Sequence, residues 1–187
     1  MGPLTDVGAL LLAYPDAAEM IDRILVSGGT WLSGGPNIPG IAAEENILAD
    51  PEAANIVFGV GIPLYLFGDN VCNQIFDASV FQPITNSTAK ISGFIADIVK
   101  CHYAAGKKEA RHQSLLKSAC PVAYLLDPSL FEMKNYAVTI DLSGDYTRGC
   151  TVVDNRFETG RTKFVPTHTH IAVKMDGEGL KNLILNI

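Results

Sequence analysis

Two short apolar runs with a well-signalled helix between them constrain this chain most. "RILVSGG" (23–29) carries a four-residue strand core, 24–27, ending at Ser27 and stopping on Gly28-Gly29. "IPLYLFGD" (62–69) is a second such run. Continuous apolar runs of this length, bounded by Gly and polar residues, read as strands buried on both faces. Between them, Asp50 is placed to cap a helix, Pro51 suits its first position, and Glu52 complements its positive end. The helix is expected from Pro51 to about Gly59. Ahead of the first run, "PLTDVGALLLAYPDAAEMI" reads as a helix capped by Thr5 or Asp6. Helix, strand, loop, helix and strand in that order predict an α/β fold with a mostly parallel sheet and helices on both faces.

Further along, "TAKISGFIADIVKCHYAAG" (88–106) sets Ile91, Ile95 and Ile98 near a 3.6-residue period. "SLLKSACPVAYLLDP" predicts a helix over 114–126, interrupted by Pro121 and stopped by Pro128. After it, "YAVTIDL", "GCTVVDN" and "HIAVKM" have the β-branched or alternating pattern of strands. No repeat or linker divides the sequence, so residues 1–187 are read as one domain, long enough for a real core.

Composition narrows the function. Apolar residues make up 48% and charged residues 18%, which is the balance of a buried globular chain. The net charge is −6 and the basic residues are scattered, apart from "GKKEARH" at 106–112. No nucleic-acid partner is expected, because phosphate binding needs clustered cations. The longest apolar stretch, 56–68, is short and broken by Gly and Pro, so no membrane span is expected. Cys72, Cys101, Cys120 and Cys150 form no CxxC pair and read as reduced thiols of a cytoplasmic protein; their spacing argues against zinc.

In open α/β sheets, ligands bind beyond the carboxyl ends of strands. Three polar segments are expected there: "SGGTW" through "AAEEN", "GDNVCNQ", and Thr5-Asp6. In "AAEENI", Glu44 and Asn46 have two readings, a helix cap that satisfies loop amides or a ligand-facing pair. Glu45 reads as a solvated carboxylate. Asp69 and Asn70 read as turn residues within reach of a ligand. Lys117 reads as a helix-surface lysine with its stem along apolar surface, or else as a replacement acid or phosphate contact. His168 and His170 alternate onto one strand face and read as ordinary strand-edge histidines.

"GPLTDVGALLLAYP", "RILVSGG", "AAEENILADPEAANIVF", "IPLYLFGDNV" and "VAYLLDPSLF", in this order and at these spacings, resemble the inosine-uridine-preferring nucleoside hydrolases. "TRGCTVVDNR" is similar to that family's C-terminal strand pair. The resemblance covers nearly the whole chain. It implies a Rossmann-like α/β enzyme, an N-glycosyl hydrolase of nucleoside metabolism that cleaves ribonucleosides to ribose and base. It also implies a bound Ca²⁺ that holds the ribose hydroxyls and a water.

Carried over by position, Thr5 matches a backbone-carbonyl metal ligand, Glu44 and Asn46 match a ribose-binding pair, and Asn37 matches a further ribose-binding amide. Lys117 and Ser118 stand where the family has "HD", which supplies a leaving-group acid and a metal carboxylate, so the catalytic residues are left unknown. Glu45 stands where the family has an aromatic. The family's N-terminal "DTDPGxDD"-like motif and first strands have no counterpart in these residues, which correspond to the C-terminal part of the family fold. The expectation is therefore a ribonucleoside- or ribose-binding chain, with Ca²⁺ weak or absent in the chain alone and no hydrolysis by it alone. The alternative is a non-catalytic binding or structural relative. Either way the chain is expected to form an oligomer or join a partner chain, because the 24–27 strand would be left with an unpaired edge.

Overall fold

The computed structural model describes residues 2–31, 43–72, 82–86, 92–94, 96–98, 101, 117–161 and 167–185. The opening elements are α1 (Thr5–Ala13), β1 (Ile24–Ser27), α2 (Glu45–Ala49), α3 (Pro51–Gly59) and β2 (Leu64–Phe67); this is the predicted order with one short helix, α2, added where a loop is expected. Then come α4 (Asp69–Cys72), α5 (Gln82–Thr85), α6 (Cys120–Leu126), β3 (Phe131–Asn135), β4 (Ala137–Ile140), β5 (Thr151–Asp154), β6 (Thr169–Met175) and α7 (Gly177–Leu185). The described parts of 92–101 are helical, as expected.

Four strands form one sheet in the order β1-β2-β6-β3. β1, β2 and β6 run parallel, with Ile24 beside Leu64 and Leu64 beside Thr169; β3 closes the far side antiparallel to β6. Side chains alternate across each strand, so Ile24, Val26, Leu64, Leu66 and Ile171 face one core with Leu11 of α1 and Val57 and Phe58 of α3. Leu25, Tyr65, Phe67 and Ala172 face the other, with Cys120 and Ala123 of α6 and Leu180 of α7. This is the predicted parallel sheet covered on both faces. Among the described residues β1 pairs only with β2. Its Ile24 and Gly28 amides donate to Pro63 and Phe67, so by the two-residue period the backbone groups of Leu25 and Ser27 point away from β2.

Several expectations are corrected. The cap position of α1 is Leu4, without a side-chain cap; the Thr5 hydroxyl instead donates to Asp50 Oδ2 at 2.6 Å. Asp50 does cap α3, accepting from the Ala53 amide at 3.0 Å with Pro51 in the first turn. Pro121 does not interrupt a helix, because α6 begins at Cys120 and places it in the first turn, where its missing N–H costs nothing. Residues 117–119 form a 3₁₀ turn instead. Among the described residues β4 and β5 pair only with each other, as a separate antiparallel hairpin packed against α3. β3 forms at "FEMKN", where no strand is expected, and α7 follows β6 where no helix is expected. No helix among the described residues is long and apolar enough to cross a membrane.

Candidate functional site

The carboxyl ends of β1 and β2 are tied together by backbone. The Gly28 amide donates to Phe67 at 3.1 Å, and the Asp69 amide donates to Gly29 at 2.9 Å. This places the Gly28-Gly29 turn beside the start of α4. Gly29 sits at φ 78°, in the left-handed region that glycine enters without penalty. A methyl group on Gly28 would lie 2.8 Å from Glu44 Oε2, so glycine there admits the carboxylate.

Glu44 is wholly buried. Its Oε2 accepts from the amides of Asn46 (3.0 Å), Ile47 (3.3 Å) and Gly29 (3.3 Å). It therefore caps α2 and pins that cap to the end of β1. Its other oxygen, Oε1, meets Lys117 Nζ at 3.4 Å, and the same ammonium donates to Asp69 Oδ1 at 3.0 Å. The side chains of Glu44, Asp69 and Lys117 are 0%, 1% and 12% exposed. The Ser27 hydroxyl donates to the Lys117 carbonyl at 3.3 Å, which fixes the turn carrying this lysine to β1. Burial works against the ammonium, but Asp69 and then Glu44 outweigh it and hold its pKa above the ordinary lysine value.

The reading of Lys117 as a helix-surface lysine is thus overturned. It lies inside, in a 3₁₀ turn, because two buried carboxylates need a counter-charge there. Ser118 is half-buried in the same turn, and Asn46 is half-buried in the first turn of α2. Asn37 lies outside the described residues. Glu45 is exposed. The Thr5 side chain is engaged at Asp50, the far end of α2 from Glu44, so about 8 Å of helix separates the two. Asp69 joins the cluster, whereas Asn70 turns to the backbone and accepts from the Trp31 amide at 3.0 Å. β6 is an inner strand, so the histidines are not at an edge: His168 Nε2 meets the Phe58 carbonyl at 2.7 Å, and His170 stacks on Tyr65 at 4.7 Å.

Beside the cluster is a cavity of about 370 Å³ lined by Trp31, Asn70, Tyr136, Val153, Asn155 and Glu158 among others. Its wall is ordered by the Tyr136 hydroxyl and Lys134 ammonium, which both donate to Glu158 Oε1 at 2.7 and 3.0 Å. No local sequence signal marks this cavity, since its lining comes from five separate segments of the chain. The sequence does carry one hint of the ion pair, a lone lysine set in the apolar "SLLKSAC".

A family model described as inosine-uridine preferring nucleoside hydrolase matches residues 1–182. The chain is 32% identical to the non-specific ribonucleoside hydrolase RihC of Salmonella enteritidis over 192 aligned positions, covering 100% of this chain and 58% of that protein. Among solved structures, a plant nucleoside hydrolase, PpNRh1, superposes with a TM-score of 0.84 at 24% identity, covering 100% of this chain and 59% of that one. A purine-preferring ribonucleoside hydrolase from Gardnerella vaginalis superposes with a TM-score of 0.83 at 25% identity, covering 99% and 57%. The chain therefore spans a little under three-fifths of the length of these relatives.

Proposed function

Because the chain belongs to the inosine-uridine preferring nucleoside hydrolase family, we propose that it binds a ribonucleoside through its ribose, beyond the carboxyl ends of β1 and β2, and that these 187 residues do not by themselves hydrolyse the N-glycosidic bond. Asn37, Glu44 and Asn46 are the proposed ribose contacts; Glu44, buried with both oxygens engaged, would reach the sugar by exchanging the Lys117 ammonium at Oε1 for a ribose hydroxyl. The observation that carries the second half is the Lys117 ammonium held between Glu44 and Asp69. Cleavage of this bond develops positive charge on the sugar, which a free carboxylate stabilises, and it needs a base for the attacking water. Here both buried carboxylates are engaged by a cation.

The family's Ca²⁺ does not fit the residues at the "HD" position either. Ca²⁺ takes six to eight oxygen ligands, several of them carboxylate. Ser118 offers a neutral hydroxyl, and the adjacent side chain is an ammonium. Among the described residues no three His, Cys, Asp or Glu side chains converge as a metal site. Thr5 remains the proposed carbonyl ligand of any metal held with further protein. The cysteines, which form no disulfide, support a reducing, cytoplasmic setting, and the β1 edge supports assembly with a second chain.

Calorimetric titration with inosine and with ribose, beside an assay for free base, tests this reading. The chain is expected to bind both, to lose affinity in Asn46→Ala, and to release no base. Binding of neither would favour the alternative, a structural relative that keeps only the fold. Base release lost in Glu44→Ala would restore the hydrolase reading for this chain alone.

A further inference from the structure

We infer that the Lys117 ammonium is the resident cation of the Glu44–Asp69 carboxylate pair and excludes a divalent ion from it. The inference goes beyond nucleoside binding and stands without it. Glu44 and Asp69 come from different elements, one ahead of α2 and the other at the start of α4, yet both turn one oxygen to the same nitrogen. Two buried carboxylates converging on one point repel each other unless a cation lies between them. Each is held there by more than the lysine: Glu44 Oε2 by three backbone amides, and Asp69 by its backbone N–H, which donates to the Gly29 carbonyl. Gly28 leaves the space that Glu44 needs. The turn that delivers the ammonium is anchored in its turn by Ser27.

This is the arrangement of a cation site whose cation is tethered to the chain. An ammonium donates three hydrogen bonds and brings one charge, so it orders the two acids without recruiting an ion from solution. A divalent ion entering the same space would meet that fixed charge at close range. Removing the ammonium while keeping the stem's bulk should convert the pair into a site for a hard oxygen-seeking cation, with water completing its shell.

The test uses Lys117→Met, Lys117→Arg and the double variant Lys117→Met/Glu44→Gln in the 187-residue chain. Tb³⁺ is the luminescent probe and Ca²⁺ the competitor. Trp31 is the only tryptophan, and its ring covers Gly68 beside Asp69, so Trp-excited Tb³⁺ emission reads this locus. Lys117→Met is expected to bind Ca²⁺ at least about tenfold more tightly than the parent chain and to melt higher when Ca²⁺ is added. Lys117→Arg and the double variant should gain nothing. A Lys117→Met chain that folds only with Ca²⁺ supports the inference equally. It is overturned if the parent chain gives the same Ca²⁺-sensitive emission as Lys117→Met, or if Lys117→Met gains no affinity and is not rescued by Ca²⁺. Neither result depends on the inosine titration.

Discussion

Lys117 Nζ lies 3.0 Å from Asp69 Oδ1, across 48 residues of sequence, and the two side chains are 12% and 1% exposed. The contact joins the turn before α6 to the start of α4. Its second arm, to Glu44, extends the link to the cap of α2. Three segments distant in sequence therefore share one charge at the carboxyl end of the sheet.

Lys117→Met leaves both carboxylates buried without their counter-ion. In metal-free buffer it should destabilise the chain by about 3–5 kcal/mol, as breaking a buried ion pair from one side does. Urea unfolding followed by circular dichroism checks this; a change below about 1 kcal/mol, the range of a surface pair, would contradict the burial described.

Gly28→Ala drives a methyl group to 2.8 Å from Glu44 Oε2. The carboxylate must shift from the amides it caps, at a cost of about 1–3 kcal/mol typical of overpacking. Gly28 sits at φ 156°, so alanine keeps a backbone penalty in either background; combined with Glu44→Ala, which empties the space, it should lose only the part of its cost that comes from the clash. Additive losses in that cycle would mean the two sites do not touch.

His170 stacks on Tyr65, and burial, with the nearby His168 adding to it, lowers its pKa below the ordinary 6.5. As pH falls below that value, the unfolded chain takes up the proton before the folded chain does. The stability contributed by the neutral ring is complete above about pH 6.5 and declines as the pH falls toward the lower folded pKa. His170→Phe should flatten the melting temperature between about pH 7 and 5. An unchanged slope would assign that dependence to other groups.

Cys72 is hydrogen-bonded to Cys120 and buried, and both effects push its thiol pKa well up. Cys101 is exposed. Thiol reagent on the native chain should label Cys101 first, and should reach Cys72 and Cys120 only on unfolding, because the thiolate is the reactive form. Peptide mapping reads the order. Native-rate labelling of Cys72 would show that the core around α4 and α6 opens.

β1 carries hydrogen-bonding groups of Leu25 and Ser27 that face away from β2. An apolar edge of this kind recruits another strand. At tens of micromolar, an order of magnitude suited to ordinary association, the chain should sediment above the monomer mass. The Leu25 and Ser27 amides should exchange more slowly as concentration rises. A monomer with both amides strongly protected would show that the chain satisfies this edge itself.

The strands at 24–27 and 64–67 and the helix at 51–59 were legible because their signals are local. An apolar run ending on Gly-Gly, and Asp-Pro-Glu at a helix start, depend on neighbours a few residues away. The ordered motifs gave the family for the same reason. β3 was not legible, because "FEMKN" has no strong strand pattern and owes its state to pairing with β6. The separate β4–β5 hairpin was equally hidden, since a strand's sequence does not name its partner.

The candidate site divides along the same line. The sequence alone determined that Glu44 and Asn46 lie ahead of the Pro51 helix and that Asp69 follows the second apolar strand. Only the tertiary structure decided that Lys117 is an interior cation rather than a surface one. The side chain of a lysine carries both a long apolar stem and a charge, so its sequence neighbours suit either place. What selects the interior is a pair of carboxylates 48 and 73 residues away. Their burial is set by sheet order and by the Gly28-Gly29 turn, and neither is written near Lys117.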